Sequence, residues 1–146
     1  MVRKVLFVCV QNSFRSQVAE AFFNANPPEE WIAVSAGPKP AEKVNPNAVQ
    51  LMAEKGIDIS DKKPKKLTSE MEAEADIVVI VCGGTECPVV NAKYIENWEI
   101  EDPAEKSLED ARRIVDKIES KVRDLIKRIS DGRVPQEGIR LNLNLE

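Results

Sequence analysis

The chain has 146 residues, 42% hydrophobic and 32% charged, with a formal net charge of −4 and no histidine. That profile suits one soluble globular domain and argues against a nucleic-acid binder, which would carry a basic footprint. No apolar run approaches the ~20 residues of a membrane span. The short apolar run that starts at Val5 is broken by Gln11 and Asn12, too early for a signal peptide, so a cytoplasmic protein is expected.

Residues 2–8 read as a first strand, with Val5-Leu6-Phe7-Val8 as its buried run. Ser16 to about Asn24 reads as a helix, with Val18, Ala19, Phe22 and Phe23 on one face, ended by Pro27-Pro28. Trp31-Ile32-Ala33-Val34 is a second strand, closed by Ser35-Ala36-Gly37-Pro38. Asn45-Pro46 then opens a helix, with Asn45 as N-cap and Gly56 as its stop. Lys62-Lys63-Pro64-Lys65-Lys66 is the one basic cluster, either a solvated loop or a strip that steers an anionic substrate. Thr68 or Ser69 caps a short acidic helix over 70–74.

Ile77-Val78-Val79-Ile80-Val81 is a continuous β-branched run, the pattern of a central parallel strand covered on both faces. Tyr94 to Trp98 is a fourth strand. A long helix over about 107–129 carries Ala111, Ile114, Val115, Ile118, Val122, Leu125, Ile126 and Ile129 at a 3.6-residue period. The expected fold class is α/β: a three-layer sandwich around a mostly parallel four-stranded sheet. Residues 1–130 form the expected catalytic domain. Residues 131–146 form a tail in which Ile139, Leu141, Leu143 and Leu145 alternate, as an edge strand or as disordered chain.

Without histidine, chemistry falls to cysteine, carboxylates and arginine. An odd count of three cysteines does not suggest structural disulfides. Cys9-Val10-Gln11-Asn12-Ser13-Phe14-Arg15-Ser16 joins the first strand to the first helix, where a parallel α/β protein holds a tetrahedral oxyanion. A Cys9 thiolate can attack phosphorus or arsenic there. The backbone N–H groups of the loop and Arg15 can hold the oxygens. Ser13 or Ser16 can donate to the Cys9 sulfur, and Asn12 can adopt a left-handed conformation and brace the loop. The competing reading is an ordinary strand-to-helix turn with a buried cysteine.

Two more cysteines lie in Cys82-Gly83-Gly84-Thr85-Glu86-Cys87, where glycine permits the bend that brings sulfurs together. A nearby thiol can attack a Cys9–arsenic adduct, and a third can resolve the resulting disulfide. They can also be inert thiols, and a metal site would need Cys9 to join them. Asp102, before Pro103, can protonate an ester leaving group or tune a cysteine; Glu101 competes for that role.

The loop from Cys9 to Ser16 resembles the anion loop of the low-molecular-weight protein tyrosine phosphatases and their thioredoxin-coupled arsenate reductase relatives. Ser35-Ala36-Gly37, Asn45-Pro46-Asn47-Ala48, Gly56-Ile57-Asp58-Ile59-Ser60 and Asp102-Pro103-Ala104 extend the resemblance over roughly residues 3–130. It implies that Cys9 is the nucleophile, Arg15 the oxyanion clamp, Asn12 the loop support and Ser16 the hydroxyl that assists the thiolate. It implies further that Cys82 attacks the Cys9–arsenic adduct and that Cys87 then attacks Cys82. A Cys82–Cys87 disulfide would be left for thioredoxin or a similar dithiol reductant.

No metal and no cofactor are implied, and the oligomeric state stays open. The expected activity is arsenate reduction. The alternative is an aryl phosphate monoesterase that works through a Cys9 phosphocysteine, with Asp102 as general acid. Gln11 stands where the family often has glycine, and Phe14 where it often has cysteine. The insert between Cys82 and Cys87 is short, and Ala104-Glu105 replaces the paired tyrosines common in the phosphatases.

Overall fold

The computed structural model describes residues 2–83 and 87–133. Its elements run β1 (Arg3–Val8), α1 (Arg15–Ala25), β2 (Trp31–Ala36), α2 (Pro46–Glu54), α3 (Ser69–Glu74), β3 (Ile77–Val81), β4 (Ile95–Trp98) and α4 (Leu108–Ser130). The four strands form one parallel sheet in the order β2-β1-β3-β4. Ile77–Val81 is buried at every position, as its unbroken β-branched run predicts.

Strand alternation divides the core into two layers of apolar contact. Val5, Phe7, Ile77, Val79 and Val81 face α1, α2 and α4. Leu6, Val8, Val78, Ile80 and Cys82 face Met71 of α3 together with Cys87, Val90 and Ala92. Helices and connecting chain therefore cover both faces, the three-layer arrangement expected from the pattern.

Helix ends follow local chemistry. Asn45 Oδ1 accepts from the Asn47 N–H at 2.8 Å, Thr68 Oγ1 from Met71 at 3.1 Å and Ser107 Oγ from Asp110 at 3.1 Å. At the end of α2, Gly56 takes a φ of +81°. Its N–H reaches the Ala53 carbonyl, and the Ile57 N–H reaches Met52, the paired bonds of a Schellman stop.

β2 runs two residues beyond the expected Val34, because Ser35 and Ala36 pair with Phe7 and Val8 of β1. Neither residue favours a strand by itself; the ladder carries them. The tail over 134–146 lies outside the described residues.

A polar staple joins β4 to α4. The side chain of Glu96 is 9% exposed. It accepts from Tyr94 Oη at 2.9 Å, Trp98 Nε1 at 2.9 Å and two Arg128 nitrogens at 2.5 and 3.1 Å. Burial alone would raise the Glu96 carboxyl, but the bonds from Arg128, Trp98 and Tyr94 outweigh it and hold the group below its ordinary value.

A depressed folded value means stability that is present above the unfolded pKa and lost as pH falls through the folded one. Arg128→Met should therefore cost about 2–3 kcal/mol at neutral pH, leaving a buried carboxylate without its cation. The difference from the unmodified protein should narrow at an acidic pH below the ordinary glutamate range, where the carboxyl, held low in the folded state, protonates. Urea unfolding at both pH values measures it; a neutral-pH loss under about 0.5 kcal/mol would reduce the staple to a surface contact.

Candidate active site

The sheet order explains where the site lies. β1 is followed by β2 on one side and, after a crossover, by β3 on the other. The crevice at such a reversal opens beyond the C-terminal strand ends. Cys9 follows Val8 at the end of β1, and Cys82 follows Val81 at the end of β3. Val8 pairs with Ile80, so Cys82 sits one residue past the position opposite Cys9. Both line a cleft of about 320 Å³, with Val10, Gln11, Ser13, Phe14, Arg15, Asn45, Gly83, Asp102 and Ala104.

The loop from Cys9 to Ser16 is held from outside. The carbonyls of Val10, Gln11 and Ser13 accept from the N–H groups of Lys39, Ala41 and Asn45 at 3.0, 3.0 and 2.8 Å. Among the described residues, no backbone N–H from Val10 through Ser16 donates to a protein acceptor. α1 also begins without a side-chain cap. A run of donors left over at a helix start is what an oxyanion requires. Gly37 backs the loop closely: a Cβ there would lie 2.5 Å from the carbonyl oxygens of both Cys9 and Val10, so only glycine fits.

Asn12 takes a φ of +52° and is fully buried. Its Oδ1 accepts from the Lys65 N–H at 2.8 Å and from Gln17 Nε2 at 3.1 Å. Its Nδ2 donates to Ser16 Oγ at 2.7 Å and to Ser35 Oγ at 3.0 Å. The backbone donor at Lys65 fixes which way the amide points. Ser35 donates in turn to Glu20 at 2.5 Å. Ser16, having accepted from Asn12, keeps its own hydrogen for the Cys9 sulfur 2.9 Å away. A thiolate can only accept, so Ser16 is its donor.

Arg15 is 7% exposed. Its Nη1 donates to the Ile100 carbonyl at 3.0 Å, and its Nη2 lies 4.0 Å from Asp102 Oδ1. Asp102 is exposed at the cleft mouth and accepts from the Ala104 N–H at 3.0 Å. Glu101, the competing carboxylate, pairs with Lys106 at 3.4 Å and does not line the cleft. Cys82 and Cys87 are joined by a disulfide with a Cα–Cα separation of 5.8 Å, and Cys9 is a free thiol.

A family model described as low molecular weight phosphotyrosine protein phosphatase matches residues 4–134. The chain belongs to this family. A glutaredoxin arsenate reductase of Synechocystis is 36% identical, the match covering 88% of this chain and 100% of that protein. The crystal structure of an arsenate reductase from Archaeoglobus fulgidus superposes with a TM-score of 0.74 at 36% identity, over 84% of this chain and 98% of that one. A low molecular weight protein tyrosine phosphatase from T. tengcongensis gives 0.76 at 29% identity, over 86% and 99%.

Within this family site, sequence reasoning singled out neither Glu20 nor Gln17, and it took Asn45 as a helix cap alone. Lys62 and Lys65 also take a part not foreseen: their ammonium groups lie 3.7 and 3.9 Å from the buried Glu20 carboxylate. The basic cluster thus supplies counter-charge behind the Cys9–Ser16 loop, beyond the two roles its composition suggested.

Proposed function

We propose that this protein reduces arsenate to arsenite through a relay of Cys9, Cys82 and Cys87. The observation that carries the reading is the cleft shared by Cys9 and Cys82, with Cys87 already bonded to Cys82. Hydrolysis of a phosphate ester has no use for that thiol pair. The names of the Synechocystis and Archaeoglobus relatives support the same activity.

Arsenate enters the loop, where backbone N–H groups and Arg15 hold its oxygens. The Cys9 thiolate attacks arsenic, and a protonated oxygen departs as water or hydroxide. Cys82 then attacks the Cys9 sulfur. The electron pair of the sulfur–arsenic bond stays on arsenic, which falls from the pentavalent to the trivalent state and leaves as arsenite. Cys87 attacks Cys82, Cys9 departs as thiolate, and the disulfide passes to Cys82 and Cys87. Two electrons have left the thiol pair. A dithiol reductant of the thioredoxin or glutaredoxin kind restores it, a partner class supported by the Synechocystis relative's name. No helix among the described residues is long and apolar enough to cross a membrane.

A single-turnover reaction of fully reduced protein with arsenate tests the relay. About one equivalent of arsenite and a mapped Cys82–Cys87 disulfide are expected. No arsenite, with every thiol still reduced, would overturn the reading. Asp102 at the cleft mouth favours a second reading, aryl phosphate hydrolysis with Asp102 protonating the leaving group. Turnover of an aryl phosphate that survives Cys82→Ser and collapses in Asp102→Asn would support it.

A further inference from the structure

We infer that Asn45 is a substrate-binding residue, whose side-chain NH2 group donates to the oxyanion held in the cleft. The inference rests on the oxyanion reading of that cleft and adds a donor from outside the Cys9–Ser16 loop. Two hydrogen bonds and the proline that follows settle the orientation of Asn45. Its backbone N–H is tied to the Ser13 carbonyl at 2.8 Å, which fixes it against the anion loop. Its Oδ1 is committed to the Asn47 N–H at 2.8 Å as the N-cap of α2. Pro46 at the first helical position restricts the backbone that follows.

The amide oxygen and nitrogen lie on opposite edges of one plane, so a committed oxygen sets the direction of the nitrogen. Among the described residues, Asn45 Nδ2 donates to no protein acceptor, and Asn45 lines the cleft beside Ser13 and Arg15. A cap needs only the oxygen. Serine or aspartate would cap as well as asparagine, but neither brings a neutral two-hydrogen donor to an anion.

This separates capping from binding. Asn45→Ser keeps a capping oxygen and removes the NH2 group. Asn45→Asp keeps the cap and turns a carboxylate towards the bound anion. Phosphate serves as the probe, because its binding by calorimetry needs no turnover. Asn45→Ser should weaken phosphate about 10-fold and Asn45→Asp about 50-fold or more, the range for a hydrogen bond to a charged group and for its replacement by repulsion.

Melting temperatures should stay within about 3 °C of the unmodified protein, since the cap is retained. In arsenate kinetics the same variants should raise KM with kcat little changed, the signature of a contact made equally in ground and transition states. Phosphate affinities within about twofold of the unmodified protein for both variants would overturn the inference. So would a loss confined to Asn45→Asp, which would reflect charge repulsion alone. An unmodified protein that binds phosphate yet forms no arsenite would sink the reductase reading alone, and the phosphate comparison would still decide Asn45.

Discussion

Cys9→Ser protein is expected to form no arsenite above background while still binding phosphate in the cleft. The Cys9 side chain is 2% exposed and receives its one side-chain hydrogen bond, among the described residues, from Ser16 at 2.9 Å. The chain of donors is fully ordered: Asn12 gives to Ser16, and Ser16 to the sulfur. With no histidine in the chain, nothing of that type can deprotonate a serine hydroxyl in its place. The loss should reach about 10⁴-fold or more, the scale for removing a covalent nucleophile. Phosphate binding should survive, because the loop N–H groups and Arg15 are untouched. Single-turnover arsenite formation, run beside a phosphate titration, measures both. Arsenite formed at more than about a hundredth of the unmodified rate would put the nucleophile elsewhere, with Cys82 the next thiol in the cleft.

Those donors show which parts of the site a sequence displays and which it hides. The Cys9–Ser16 loop is legible because strand, polar loop and helix follow one another directly. The all-buried Ile77–Val81 strand is legible because a continuous β-branched run suits few other settings. Helix α1 is less so. Its apolar residues mark a single face, yet Arg15 through Phe23 are all buried. Gln17 and Glu20 can be buried because their partners arrive from far along the chain: Lys63 and Lys65 from beyond α2, and Ser35 from β2.

A buried polar group is tolerated when it is hydrogen-bonded. Gln17 Nε2 also reaches Asn12, five residues earlier, and Gln17 Oε1 has no partner among the described residues, but the other bonding groups lie 15 to 46 residues away in sequence, beyond the reach of any local periodicity. Asn45 is the mixed case. Its cap is a local signal read correctly from Asn-Pro. Its place in the cleft depends on the Ser13 carbonyl, 32 residues earlier, which no pattern around Asn45 displays. The choice between Asp102 and Glu101 is likewise hidden from the local pattern: Arg15, 87 residues earlier, lies 4.0 Å from Asp102, while Glu101 pairs with Lys106 outside the cleft.

Arg15→Lys should lower kcat/KM for arsenate by about 10²–10³-fold, with most of the loss in kcat. Charge is conserved in this substitution, so the argument rests on shape. The guanidinium gives Nη1 to the Ile100 carbonyl at 3.0 Å and keeps its other donors for the cleft. That bond ties the clamp to the chain just past β4, so the position of Arg15 is set by the sheet and not by the loop alone.

A lysine ammonium carries all its hydrogens on one atom. It can meet the Ile100 carbonyl or the oxyanion, but it cannot present a planar fork to both. As Cys9 attacks, negative charge shifts across the oxygens of the arsenate, and a prepositioned fork follows that change with no reorganisation. A flexible ammonium has to move, and this loss appears in kcat. Steady-state arsenate kinetics with saturating dithiol reductant measure the split, and a melting curve checks the cost of leaving the Ile100 carbonyl unpaired. A decrease below about 5-fold would mean that the loop N–H groups stabilise the transition state almost unaided, and that Arg15 serves chiefly to fasten α1 to the end of the sheet.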